Sequence, residues 1–559
     1  MIDRNEARIA RGAVHGLRAW LAAGLLALLG MGSADAADYY VCDCASGADA
    51  QCVVGSDAAT GTTPAAAWRS YDRAQDAFAN LNAGDGVHFC RGGVFPVAGS
   101  TQWVNTRCTA AQRCTVGAYA ASWASGDETR PRIVQSAGHG FNLSNFGDGE
   151  QDGGYVFRDL EITCSACAGG DWGFFLFNDV DDVRLERLLI RNFGIGVHLA
   201  GSNACGSDPE CDAHSSRIEM IASELRDNLG QGWLGAGDDL LLADSRFIGN
   251  GSGSVFEHNL YLTQSNGATQ RMRVLRNELY RSAARNSGSC QGGSFAAHGE
   301  HTDLLIEGNY IHEDAGAADP ACWGLGLTPA YATPEYFLRT IVRGNRLRNM
   351  GNAAIAIASC VDCVVENNIV EHAQSFGVIA ILAPAVARGA EDTAMTRLTV
   401  RNNSVWTSAP GSTAVRVGGE GTQHVIVSNA LQSTAGTGGW ACLSLGLAFS
   451  AYTIVDRNVC GFVAGGGREW EEGSGSLTAW RGASGFDAGS IAAAPGFAGA
   501  GSPGYDMTAA SIGAAMVAAG HATASSPLEF SGGTRGNPPD AGAHQFGVGA
   551  ILFANGFEN

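Results

Sequence analysis

The sequence predicts an all-β solenoid: a stack of short coils around one continuous apolar core. Three observations predict it. First, short apolar strands recur, each closing on an asparagine: VLRN at Asn277, IEGN at Asn309, VRGN at Asn345, VENN at Asn368, VRNN at Asn403, IVSN at Asn429 and VDRN at Asn458. Degenerate copies precede them, FRDL at Leu160, LERL at Leu188, IASE at Glu224 and LADS at Ser245, and the spacing runs from 21 to 36 residues. Second, most copies carry a further strand, such as GVHL (196–199), NLYL (259–262), AIAI (354–357) and CLSL (442–445), whose alternation puts every other side chain on one face. Third, 78 of the 559 residues are Gly with no G-X-Y period, and 45% are apolar, which excludes collagen and a disordered chain. A propeller needs blades of about 40–50 residues with four strands, longer than these units. Asn suits the coil corner because it tolerates left-handed backbone, and stacked Asn side chains can hydrogen-bond along the axis.

In chain order, residues 1–36 read as a secretory signal. Arg4, Arg8, Arg11 and Arg18 supply positive charge, Leu17 to Met31 an apolar stretch shorter than a spanning helix, and Ala34-Asp35-Ala36 a small-x-small cleavage site. Residues 37–150 read as an N-terminal cap with the first coils. Its helix would put Tyr71, Ala74, Phe78 and Leu81 on one face over the open end of the core. Residues 151–475 are the repeats, 476–546 a C-terminal cap module and 547–559 a tail with the look of a sorting signal.

The formal net charge is -20, against the basic face a nucleic-acid binder needs. All 35 basic residues are Arg, so Lys-based catalysis is excluded. No stretch after the signal is long and apolar enough to span a bilayer. The 16 Cys all follow the signal and read as disulfides, with Cys108/Cys114, Cys164/Cys167, Cys205/Cys211, Cys360/Cys363 and Cys442/Cys460 close enough in sequence to pair. The two C-x-x-C pairs are also compatible with redox or zinc chemistry. No oligomerisation signal is visible, and a monomer is expected.

Three parts of the chain resemble the secreted right-handed parallel β-helix proteins of the pectate-lyase-like superfamily: YYVCDCASGADAQC with the helix and GDGVHFCRGGVF, the Asn-cornered coils, and IAAAPGFAGAGSPGYDM followed by PPDAGAHQF. The final ILFANGFEN resembles a tail of exported Gram-negative bacterial proteins. The resemblance implies a right-handed parallel β-helix with an N-terminal helical cap. It also implies a protein that is secreted, periplasmic or at the cell surface and has a polysaccharide as its partner. The superfamily's fold hosts lyases, glycosidases, epimerases and non-enzymatic surface proteins.

The candidate chemistry lies between about residues 198 and 328. In His258-Asn259-Leu260-Tyr261, inward Leu260 and Leu262 would aim Asn259 and Tyr261 into a groove, with His258 at the strand entry. His and Tyr suit base and acid roles in β-elimination of a uronate. Arg271, Arg273, Arg276, Arg281 and Arg285 follow with one acid, Glu278, and offer carboxylate binding; the alternative is a set of solvated outer faces. His298 and Glu300 fall where the family carries Lys-x-Arg, a departure that leaves His298 as a base or a packed structural residue. His198 in GVHL would line the groove or be a lone surface His. Asp238 and Asp239 resemble the Gly-x-Asp-Asp of polygalacturonase-like hydrolases; the alternative is a solvated corner. NDVDDV (178–183) and GDGEQDGG (147–154) offer oxygen ligands for calcium, although no cofactor is required. A polysaccharide lyase acting on an acidic glycan is the leading expectation. A non-catalytic adhesion protein and a glycoside hydrolase are the alternatives.

Overall fold

The computed structural model describes residues 36–98, 102–144, 152–201, 214–463, 465–502 and 506–548. The secretory signal, apart from Ala36, falls outside them, as do Cys205/Cys211, most of GDGEQDGG and all but two residues of the tail.

The chain winds into a parallel β-helix with three sheets, one more per coil than the repeat suggested. Sheet I runs through 14 strands from Asp38–Val41 to Tyr452–Asp456, and sheet II through 13 from Val94–Val97 to Val459–Gly461. Sheet III runs from Phe141–Ser144 to Arg468–Glu471. The third strand was hard to see because it is only three residues long in most coils, as in Glu278–Tyr280 and Tyr310–His312. Each short strand sends one residue inward, Leu279 or Ile311, into a core whose members are fully buried.

The corner between sheets I and II carries the asparagine ladder. Asn277, Asn309, Asn345, Asn368, Asn403, Asn429 and Asn458 are all buried. Each side-chain amide donates to the next Asn Oδ1, at 2.9–3.0 Å from Asn277 through to Asn458. Each also donates to a carbonyl of an earlier coil, as Asn345 does to Ile306 at 2.9 Å. The left-handed backbone sits one residue earlier than expected, at Arg276, Asn367, Asn402, Ser428 and Arg457. The ladder Asn is therefore selected for its amide, not for its φ. In the earlier coils Ser223 and Ser245 take the ladder position, so the degenerate copy aligns on Ser223 and not on Glu224.

Helix α1 (Tyr71–Phe78), capped by Ser70, buries Tyr71, Ala74 and Phe78. Leu81, just beyond it, is buried as well. Phe78 packs on Trp103 and Tyr155 to close the first coils. At the other end, helix α2 (Leu477–Ser484) packs on the last sheet III strand. The indoles of Trp470 and Trp480 both donate to Asp487 there. Only this part of the expected C-terminal module caps the solenoid. The chain then runs back along sheet II, where Asn402 Nδ2 donates to the Asp540 carbonyl and the buried Arg535 donates to Asn367 Oδ1.

Among the described residues seven disulfides are formed: Cys42–Cys90, Cys44–Cys52, Cys108–Cys114, Cys164–Cys167, Cys290–Cys322, Cys360–Cys363 and Cys442–Cys460. They fit an oxidising, extracytoplasmic compartment, and the C-x-x-C thiols are bonded to each other. Among the described residues no helix is long and apolar enough to cross a membrane.

Candidate functional site

The outer face of sheet III carries three rows of side chains set by the parallel register. The middle row runs Asn142, Phe175, His198, Leu234, Tyr261, Ala296 and Gly326. Successive members are about 4.8 Å apart, the strand spacing of any sheet. His298 stands two residues further along its strand than Ala296, paired with Thr263.

Four rings meet here. Tyr261 lies edge-on to His258 at 5.0 Å and to His298 at 5.4 Å, and His298 is 5.8 Å from Tyr331. The Tyr261 and Tyr331 hydroxyls are hydrogen-bonded at 3.0 Å, and Tyr331 also bonds the Thr263 hydroxyl. Tyr331 belongs to a loop held by the buried Glu335 carboxylate, which accepts from the Ala330 amide at 2.6 Å and the Gly299 amide at 2.6 Å. Sequence reasoning missed Tyr331. Its signal was the spacing of 36 residues from Asn309 to Asn345, one of the two widest gaps between repeats, which marks a loop of unusual length.

Both histidines have fixed tautomers. His298 Nδ1 bonds the Thr328 carbonyl and His258 Nδ1 the Gly293 carbonyl at 2.7 Å, so Nδ1 carries the proton and Nε2 the lone pair. Burial lowers both pKa values, that of His258 to about 4, so both rings are neutral at neutral pH. Burial, then the Tyr331 contact, raises the Tyr261 phenol well above its ordinary value. His298 is half-buried, whereas His258 is 7% exposed and sits behind Tyr261. Beneath them the fully buried His301 joins Thr269 Oγ1 at 2.7 Å to the His298 carbonyl at 2.9 Å.

The other expected residues are scattered. Glu300 is half-buried, the next outward residue after His298, in register with Tyr336. His198 lies two rungs before Tyr261, and burial lowers its pKa to about 4. Asn259 does not face the open side of sheet III. It is fully buried and accepts from Asn250 Nδ2 at 3.0 Å, because the strand bends at its entry and turns this position inward.

Asp238 and Asp239 occupy the corner between sheets III and I. Asp239 takes both Arg271 bonds at 2.7 Å, and Asp238 accepts from Gln270. The arginines form no single patch. Arg271 and Arg273 lie at this corner and on sheet I, Arg276 pairs with Asp244, and Arg281 and Arg285 follow sheet II, where Arg285 donates to the Asp227 carbonyl. Asp181 and Asp182 of NDVDDV accept from Arg217. Among the described residues, groups of three clustered metal-ligand side chains occur only at Cys42, Cys52 and Cys90 and at Cys290, Glu313 and Cys322, whose thiols are in disulfides.

No protein-family model and no curated protein matches the chain. Solved structures similar to it include a pectate lyase, with 11% identity over 91% of this chain and 97% of that one and a TM-score of 0.40. A rhamnogalacturonan lyase has 10% identity over 81% of this chain and 87% of that one, with a TM-score of 0.36. The mannuronan C-5 epimerase A-module of Azotobacter vinelandii has 13% identity over 71% of this chain and 94% of that one, with a TM-score of 0.36.

Proposed function

We propose that this open face is the active site of an exported polysaccharide lyase, acting as a monomer on a uronate-containing glycan in the periplasm or at the surface of a Gram-negative bacterium. The observation that carries the reading is the pairing of a neutral, half-buried His298 on the outer face of sheet III with the Tyr261–Tyr331 hydroxyl pair. β-Elimination needs a base for the C5 proton and an acid for the leaving O4 oxygen. His298 Nε2 takes the C5 proton, the electron pair forms the C4–C5 double bond, and the C4–O4 bond breaks. Tyr261 supplies the proton to O4 and recovers one from His298. His258 and His301 position the ring pair.

The five arginines that would neutralise the substrate carboxylate lie elsewhere on the coil. In this reading the Thr263 and Tyr331 hydroxyls hydrogen-bond the carboxylate, and calcium, were it bound, would be held by Glu300 and would supply the neutralising charge. Hydrolysis through Asp238 and Asp239 is less well supported, because both carboxylates are engaged at a corner.

The test is ultraviolet absorbance of newly formed unsaturated uronate, with polyuronates as substrates, with calcium or with a chelator. A rising signal that is lost in Tyr261→Phe is expected. A flat signal from folded protein on every polymer would sink the reading in favour of a glycan-binding surface protein.

A further inference from the structure

Before Tyr261, the open face of sheet III carries a run of aromatic rings that the reactive cluster does not use. His139 stacks on Trp172 at 4.5 Å with planes 7° apart. Trp172 is 4.3 Å from Phe175, and Phe175 is 5.3 Å from Phe177 with planes 27° apart. His198 closes the group, edge-on to Trp172 at 4.5 Å. All five are half-buried, with part of each ring at the surface. Phe175 is three rungs from Tyr261, through His198 and Leu234. That is about 14 Å at the spacing of a sheet, close to three sugar units of about 5 Å each.

The charge of this stretch is distinctive. The middle row reaches its first Arg only at Arg416, far along the solenoid and paired with Glu472. His139 and His198 are both held toward the neutral form by burial. A carboxylate laid here would lose its hydration and meet no cation. An uncharged pyranose would present C–H faces to the rings and keep its hydroxyls at the rim.

We infer that the rings of His139, Trp172, Phe175, Phe177 and His198 form a subsite for an uncharged sugar residue, so that the glycan is a heteropolymer with a neutral unit about three residues from the reacting uronate. This rests on the reading of sheet III as a glycan groove. It adds a composition that the cluster alone does not specify.

The experiment measures binding of manno-, gluco- and galactohexaose and of hexagalacturonate by calorimetry to the wild type, Phe177→Ala and Phe175→Arg. At least one neutral hexasaccharide should bind the wild type more tightly than hexagalacturonate and lose about tenfold in Phe177→Ala. Phe175→Arg should shift the preference toward hexagalacturonate; should that variant not fold, Phe177→Ala decides alone. Equal affinity in wild type and Phe177→Ala, preference for hexagalacturonate in the wild type, or no binding of either class would overturn the inference. Neutral-sugar binding that depends on Phe177, without turnover of any polymer, would keep the subsite and sink the lyase. Turnover lost in Tyr261→Phe but unmoved in Phe177→Ala, together with unchanged affinity, would do the reverse.

Discussion

Sheets II and III are built from the same coils, yet their outer faces end differently. On sheet II, Ile369 and Trp406 point outward and are nevertheless buried, because Met507 and Ala543 of the returning chain pack over them. Ala430 and Val459 are covered in the same way by Met516 and Ala541. On sheet III, Trp172, Phe175, Tyr261 and His298 keep part of their rings at the surface. A row of exposed rings is a liability for solubility unless something binds it. The returning chain covers an apolar part of sheet II and leaves open the face of sheet III that carries the histidine–tyrosine cluster.

The sharpest way to break this comparison is to separate activity from stability. His298→Ala should lower turnover by about 10³-fold, equivalent to about 4 kcal/mol of barrier. Calorimetry should show a melting temperature changed by only a few degrees, since the ring is half-buried. A melting temperature that collapses in this variant would mean that His298 is a packing residue. On the covered face the pattern inverts. Trp406→Ala should cost about 3–4 kcal/mol in denaturant unfolding, leave turnover alone, and expose the segment after Phe497 to limited proteolysis.

The repeat and the capping helix were legible because both rest on periodic apolar residues, read directly as Leu260, Leu262, Tyr71 and Phe78. Four disulfides followed from short separations; Cys44–Cys52, at a separation of 8, was missed, and Cys42–Cys90 and Cys290–Cys322 were not legible because their partners are brought together by coil stacking at separations of 48 and 32 residues. Strand alternation placed Tyr261 outward and failed one step earlier at Asn259, where the strand bends. The arginine run was misleading for a related reason. Arg271 to Arg285 are neighbours in sequence, but the coil turns a corner at Arg271, at Arg276 and at Arg281, each with positive φ, so consecutive charges point in different directions. The wide 309–345 spacing marked a loop but not which of its residues reaches the cluster, because Tyr331 is placed by the Glu335 carboxylate, a contact no period encodes.

A smaller effect sharpens the account of what lies under the open face. His301 is fully buried, and burial lowers its pKa to about 4. The unfolded chain binds a proton at this residue from about pH 6.5 downward, and the native ring stays neutral until about pH 4. Its contribution is therefore complete above pH 6.5 and is lost as the pH falls toward 4, by at most about 3 kcal/mol. Denaturant unfolding at pH 7 and pH 4.5 should show a smaller acid loss in His301→Asn than in the wild type. An unchanged loss would mean that the ring is already charged in the native state. Burial also lowers the pKa of His298, so if His298 is the base proposed above, the acid limb of turnover should lie on the acidic side of a free imidazole.

The smallest effect tests the corner that borders the open face of sheet III. Asp182, Arg217, Asp239, Arg271, Asp303, Arg339, Asp362 and Arg397 occupy equivalent left-handed positions on successive coils. The column alternates in sign and is joined pairwise, as in the two 2.7 Å bonds from Arg271 to Asp239. It resembles the asparagine ladder in geometry but not in energetics. An Asn ladder amide is buried and has no substitute for its partner, whereas both members of the Arg271–Asp239 pair are exposed to solvent that replaces the bond. Arg271→Ala should therefore cost under about 1 kcal/mol, diminish further in high salt, and leave turnover unchanged. A large loss of turnover in Arg271→Ala with intact stability would return the arginine to the substrate site and move the groove's boundary from sheet III onto this corner.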